Sequence, residues 1–451
     1  MLSIRLIGTS ALLLSRSLQA NADYTVKADA ATTLISSWDG WGTSLCWWAN
    51  VFDDREDIAD LLFTTKDAVT LNGSTSSLPA LGLTIARYNI GGSANNVVDD
   101  SGTEVSMETS DNMPVFKLME TFWLDWMSKD PTSTSWNWDA DAKQRAMVGL
   151  ATQRDVDILE AFSNSPPWWM TNNHATAGGD DGDKDNLEDW NHDQFALYLA
   201  TVVSHARTSW GINFTYVEAF NEPMSTWWEY PGGQEGCHFE VDTQMDVLVK
   251  LRSQLDTLGL QDVAVSSSDE NSPSLALSTL TSMSSDADVM AAIGKVNTHG
   301  YDVKQKFWDS EYGESDATGL SLAESIALDI NQMGVSAFVY WQALDSGAWG
   351  LIQSNPGDNW IDDSTNTVVA LDAASKLLVL VTVNLGDSAS TVMFDLSSFT
   401  TAAGPITAWT TETSGTGALH ESSKVDFSGT SFSASIPAAS VTTFEVQGVA
   451  V

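Results

Sequence analysis

Cysteine is nearly absent: 451 residues carry two, Cys46 and Cys237. That excludes a disulfide scaffold and a thiolate metal cage, and leaves two readings open, one Cys46–Cys237 bridge or two buried free thiols. Positive charge is scarce as well, with 20 Lys and Arg against 60 Asp and Glu and a formal net charge of −40. So acidic a surface repels phosphate backbones and anionic lipid, so no nucleic-acid partner is expected and a neutral substrate is. Beyond the N-terminal segment no apolar run approaches the ~20 residues of a spanning helix, so no membrane span is expected. Also missing are a G-x-S-x-G elbow, a G-x-x-x-x-G-K phosphate loop and an HExxH zinc motif, which leaves no metal or cofactor chemistry with sequence support. The acidic run "GGDDGDKDNLEDW" (178–190) fails as a calcium loop, because Asn186 replaces the turn glycine and His192 the bidentate glutamate.

What is present begins with an address. Residues 1–22 have Arg5, the apolar "ALLLS" and a small-x-small "ANA", the pattern of a secretory signal peptide; a buried N-terminal helix is the other reading. The signal reading makes the protein secreted and extracellular. The triplets "NGS" at Asn72 and "NFT" at Asn213 then become N-glycosylation acceptors in a eukaryotic host.

From residue 36 to 345, short apolar runs alternate with helical segments. The runs are "SSWDGWGTS", "LTIARYNIGG", "VDILEAFSNSPP", "FTYVEAFNEP", "DVAVSSSDEN", "GKVNTHGY", "KFWDSEYG" and "SAFVYWQALD". Near-continuous apolar strands with amphipathic helices between them, such as 192–209 and 322–334, predict an α/β chain folded as a (β/α)₈ TIM barrel over residues 23–365. From residue 366 to 451, β-branched and polar residues alternate between turn signals, which predicts an antiparallel β-sandwich. The N-terminal "DYTVKADAATTLI" is a candidate strand of that same sandwich.

In such a barrel the chemistry lies just past the strands. Those positions hold Trp41, Arg87, Asn89, Asn164, Trp168, Asn221, Glu222, His299, Tyr301, Glu311 and Trp341. Glu222 ends the fourth strand and Glu311 the seventh, so the two carboxylates face each other across one cleft. Glycosidic hydrolysis needs such a pair, one protonated to release the leaving oxygen and one ionised to attack or to activate water. Asn221 is placed to bind a sugar 2-hydroxyl and Tyr301 to orient Glu311, while the aromatic rings suit the apolar faces of sugars. The expected partner is a polysaccharide or glycoconjugate.

The motifs "GWGTSLCWWA", "ARYNIGG", "SNSPPWWMT", "EAFNEP", "VNTHGY" and "DSEYG" together resemble glycoside hydrolase family 30, and within it the endo-β-1,6-galactanase branch. The resemblance runs over roughly residues 36 to 449. It implies a retaining mechanism with Glu222 as acid/base, Glu311 as nucleophile, and β-1,6-linked galactan as substrate. A family glucosylceramidase, a β-1,6-glucanase and a non-catalytic sugar-binding relative are the alternatives. Two departures stand out. Only "DVKQK" separates Tyr301 from Phe307, and residues 350–366 leave no room for a closing helix, so the barrel is expected to lack its helices after strands six and eight. Either the barrel is trimmed or the coding sequence has lost two segments.

Overall fold

The computed structural model describes residues 4–9, 23–299, 307–313, 319–345, 352–353, 365–400, 403–412 and 420–450. The chain divides into two compact units, Gly40–Tyr312 with Ala337–Leu344, and Met1–Asp39 with Gly313–Ser336 and Asp345–Val451.

In the larger unit eight strands close on themselves: Gly40–Ser44, Ile85–Asn89, Ile158–Phe162, Tyr216–Glu218, Ala264–Glu270, Ile293–Thr298, Phe307–Tyr312 and Ala337–Tyr340. Every neighbouring pair is parallel, which makes this a barrel of TIM type. The second strand is buried at all five positions, as a strand covered on both faces must be. Helices Trp48–Phe52, Glu56–Phe63, Ala142–Thr152, His192–His205, Val241–Thr257, Pro273–Met283 and Ala287–Ala292 fill the first five connections. Local chemistry sets their starts. Ser272 accepts the Leu275 amide ahead of Pro273, and Asp286 accepts the amides of Asp288 and Val289. From the acidic 178–190 run, Asp185 accepts the Glu240 amide and the Thr243 hydroxyl where Val241–Thr257 begins. The sixth and seventh strands pair in parallel with only residues 299–306 between them, and 300–306 lie outside the described residues.

Charge runs through the barrel interior. Glu160 of the third strand accepts Lys295 Nζ at 2.7 Å, Ser266 Oγ at 2.6 Å, Asn297 Nδ2 at 3.0 Å and Arg87 Nε at 3.2 Å. The ammonium of Lys295 lies 3.4 Å from the centre of the Trp308 ring. A buried, unpaired ion costs several kcal/mol, so four donors on one carboxylate are what this floor requires. Burial alone would raise Glu160, but Lys295 and Arg87 hold it below the ordinary range. Burial in turn brings Lys295 down to about 8 despite Glu160. At the C-terminal end of the fourth strand, Glu218 is raised well above its usual value by burial and by Asp269 and Glu160.

The smaller unit is a β-sandwich. One layer runs His420–Ser428, Ala403–Glu412, Ser440–Gln447, Leu377–Asn384 and Thr365–Asp372; the other runs Tyr24–Ile35, Ser390–Asp395 and Ser431–Ile436. The two share one core, to which Leu378, Leu380 and Phe444 come from the first layer and Ala28, Phe394 and Ile436 from the second. Ile4–Thr9, within the expected signal segment, joins the layers by pairing with Thr365–Asp372 and Tyr24–Ile35. Helix Leu320–Leu328 packs here as well, through Leu320 against Val383 and Leu385.

Candidate active site

The fourth strand stops early, at Glu218, and the apolar residues Ala219 and Phe220 stay fully buried beyond it. The chain then turns through Glu222 at φ +48°, a left-handed conformation that costs a non-glycine residue ~1–3 kcal/mol. Three bonds hold it there. The Glu222 amide donates to Asp269 O at 2.8 Å, while its carbonyl accepts Trp228 Nε1 at 2.9 Å and the Ser225 amide at 3.0 Å. The carboxylate is divided between two environments. Oε1 meets Asn271 Nδ2 and His299 Nδ1, both at 3.1 Å; Oε2 accepts Trp227 Nε1 at 3.2 Å.

Glu311 comes from the seventh strand, with Arg87 Nη1 3.5 Å from its Oε2 and His299 Nε2 3.9 Å away. His299 therefore stands between the two glutamates, and a carboxylate oxygen from each lies within 4.8 Å of the other. Behind them Asp269 ties the arrangement together. Its carboxylate accepts Arg87 Nη2 at 2.7 Å and the Ser310 hydroxyl, and lies 3.4 Å from His299 Nε2. Arg87 also donates to Ser310 O at 2.9 Å and covers the Phe162 ring at 4.1 Å.

These contacts set the charges. Burial would raise Glu222, but the His299 contact and Asn271 outweigh it and hold the carboxyl below its ordinary range. Burial would lower His299, yet Glu311 and Asp269 raise it well above the usual imidazole value. Burial pushes Glu311 up to about 7, with His299 pulling down and Glu222 pushing further up. The two carboxyls are thus separated, Glu311 upward and Glu222 downward, so that Glu311 takes up a proton before Glu222 does. Interacting carboxyls titrate as a pair, and this pair holds one proton below about pH 7. Glu222, His299 and Glu311 also form a donor set of the type a divalent ion takes, but a protonated imidazole has no lone pair to offer.

Of the residues expected from sequence, Glu222, Glu311, His299 and Arg87 converge. Asn164 and Asn221 are buried with amide atoms that have no hydrogen-bond partner among the described residues, while the buried Asn89 amide lies against Cys46 and Glu235. Leaving such atoms unpaired costs ~1–3 kcal/mol each, a cost that ligand hydroxyls would relieve. Trp341 follows the eighth strand and stands edge-on to Trp47 at 5.0 Å. Trp41 does not join them: it is the second residue of its strand, half-exposed and beside Phe338. Trp168 is fully buried, its indole N–H on Asn96 Oδ1, and anchors a loop. Tyr301 lies outside the described residues. Asp269, Asn271, Ser310 and Trp47 were not expected; the polar "SSSDEN" closing the fifth strand was the available signal for the first two. Cys46 and Cys237 are both buried and unbridged. Asn72, in the turn between Val69–Thr70 and Ser77–Leu78, and Asn213 are both exposed.

Comparison with known proteins gives the geometry a context. Residues 25–270 match the sequence profile of O-glycosyl hydrolase family 30. An endo-β-1,6-galactanase of Hypocrea rufa is 40% identical, with 96% of each chain covered. That alignment runs over 474 positions against 451 residues here, so the relative has segments without a counterpart in this chain. Among solved structures, a conserved exported protein from Bacteroides fragilis superposes with a TM-score of 0.68 at 18% identity, covering 91% of this chain and 97% of its own. The catalytic domain of the family 30 xylanase C from Talaromyces cellulolyticus gives 0.65 at 19%, covering 94% and 100%; at these identities both speak for the fold.

Proposed function

The chain belongs to O-glycosyl hydrolase family 30, and from that membership we propose that it cleaves β-1,6-linked galactan with retention, Glu222 acting as acid and base and Glu311 as nucleophile. One observation carries the mechanism: the nearest oxygens of Glu222 and Glu311 lie within 4.8 Å across the barrel mouth. Retaining enzymes hold their carboxyl groups ~5–5.5 Å apart, whereas inverting ones leave ~6.5–9.5 Å for a water. The choice of galactan is supported by the 40% identity to the Hypocrea rufa endo-β-1,6-galactanase.

In the first step the ionised Glu311 forms a bond to the anomeric carbon. The carbon–oxygen bond to the leaving sugar breaks, and that oxygen takes the proton from Glu222. In the second step Glu222 removes a proton from water, which displaces Glu311 with a second inversion. The cycle needs one proton on the carboxyl pair, and it must sit on Glu222 when substrate is bound. His299⁺ remains throughout as the charge beside both. Hydrogen bonds from sugar hydroxyls to an ionised Glu311 move the proton to the other member of the pair. Asn164 and Asn221, with amide atoms unpaired among the described residues, are the residues we assign to those hydroxyls.

We further read the chain as secreted, supported by the "ALLLS…ANA" leader pattern of residues 1–22. Its removal would take Ile4–Thr9 with it and leave the two sandwich layers as separate sheets. The short 299–306 connection and the longer Hypocrea rufa relative support a barrel that lacks helices after strands six and eight. Transcript sequencing across those two connections distinguishes a trimmed barrel from a lost coding segment.

The functional test is a panel of β-1,6-galactan, β-1,6-glucan and glucosylceramide assayed for new reducing ends. Release from galactan is expected; release from either of the others alone, or polymer binding without turnover, overturns the reading.

A further inference from the structure

The two oxygens of Glu222 are not equivalent. Oε1 is occupied by two donors, Asn271 Nδ2 and His299 Nδ1, both at 3.1 Å. Oε2 has only the Trp227 indole N–H on it among the described residues. Trp227 is itself 53% exposed, where the neighbouring Trp228 is 6% exposed.

That exposure does not come from a loose loop. Trp228 donates to Glu222 O at 2.9 Å and packs on Gly236, where a Cβ would meet the ring at 2.0 Å. On either side, Gly179 N donates to Trp228 O at 3.0 Å and Tyr230 N to Gly179 O at 2.8 Å. One tryptophan therefore anchors the segment and the other is presented by it. The two rings meet edge to face at 6.2 Å and 66°, an arrangement that leaves the Trp227 ring exposed. An exposed, rigidly held indole beside a catalytic acid is a stacking surface for a sugar.

Because Oε1 is committed to its partners, we propose that Oε2 delivers the proton and that Trp227 is the platform of the leaving-group subsite, stacking the galactosyl residue whose primary-alcohol oxygen receives it. This rests on the reading of Glu222 and galactan above. The chemistry of the ligand fits. The axial 4-hydroxyl of galactose leaves the C3–C6 hydrogens as an apolar patch on one face of the ring. In the first step the bond from the anomeric carbon to that sugar's O6 breaks, and the electron pair stays on O6. The proton then comes from Oε2, which is left ionised and still accepts the Trp227 N–H. After the leaving sugar departs, the same surface holds either water or a second galactosyl acceptor, so the subsite also governs transfer against hydrolysis.

The test compares two substrates of the full-length enzyme. β-1,6-Galactan places a sugar on Trp227; β-1,6-galactobiosyl fluoride forms the same glycosyl-enzyme with fluoride leaving and needs no sugar there. Trp227→Ala should lower the ratio of kcat/KM on galactan to kcat/KM on the fluoride by about tenfold, which equals ~1.4 kcal/mol of lost leaving-group binding. Trp227→Phe, which keeps a ring and loses the N–H, should restore most of that ratio. Transfer to added galactobiose should fall in the Ala variant in parallel. An unchanged ratio in Trp227→Ala, whether both rates fall together or neither does, overturns the subsite. A native enzyme that turns over the fluoride but not β-1,6-galactan overturns the galactan reading instead.

Discussion

Replacing Asp269 with asparagine removes one charge and almost no volume, at the point where the second, fifth and seventh strands and His299 meet. The native carboxylate is fully buried, 2.7 Å from Arg87 Nη2, and accepts the Ser310 hydroxyl. Removing one partner of a buried ion pair costs ~3–5 kcal/mol, because the other charge is left uncompensated. Arg87 keeps Glu160 at 3.2 Å and the Ser310 carbonyl at 2.9 Å, which places the expected loss at the lower end, ~3 kcal/mol. The main-chain bond from Glu222 N to Asp269 O survives, so the acid stays in place. Its electrostatics do not. Asp269 helps to push Glu311 up to about 7, behind burial and Glu222, and it helps to raise His299. Without that charge both values fall, so the alkaline limb of kcat/KM moves to lower pH. Urea denaturation followed by tryptophan fluorescence measures the first effect and a pH–rate profile the second. A stability loss under ~1 kcal/mol with an unshifted profile would refute the assignment of Asp269 as the residue that ties the two catalytic arms together.

Further outcomes follow from the same geometry. Glu311→Gln should lower kcat/KM on galactan by ~10⁴-fold or more while the variant still binds the polymer in affinity electrophoresis. Glu222→Ala should lose ~10²–10⁴-fold on galactan but much less on a glycosyl fluoride, whose leaving group needs no proton. Activity should fall as pH rises through about 7, where the carboxyl pair loses its last proton; a limb above pH 9 contradicts the shared-proton account. Folding should follow a similar course. Burial raises Glu235 to about 8 and Asp141 and Glu270 to about 7, so each stabilises the fold below its unfolded-state value and loses that contribution as pH climbs through those numbers. The melting temperature should therefore drop between pH 5 and pH 8, and Glu235→Gln should flatten that slope.

The parts of this site that sequence exposes are those that end apolar runs. "VEAFNEP", "ARYNIGG" and "DSEYG" each deliver a charged residue straight from a buried strand, and Arg87, Glu222 and Glu311 meet as strand order requires. Asp269 and Asn271 escape notice because the run that carries them, "DVAVSSSDEN", ends in six polar residues in a row, and nothing singles out one of them until barrel closure buries six of the seven residues of Ala264–Glu270. The charged floor of Glu160 and Lys295 is hidden for the opposite reason, each charge sitting alone inside an apolar stretch. Tryptophans divide by a distinction that periodicity does not carry. Trp41 falls at the start of its strand rather than its end, where Trp47 takes the place beside Trp341. Trp168 and Trp227 both belong to adjacent pairs, yet one is fully buried and the other presented to solvent. Whether an aromatic anchors or displays is decided by tertiary packing.

The most direct test of the central claim is the anomeric form of the first product released from β-1,6-galactan, followed by proton NMR before mutarotation. Two opposed glutamates at this spacing predict the β-anomer at early times, with the α-anomer growing in only as the sugars equilibrate. An α-anomer at the earliest time points would contradict double displacement through Glu311.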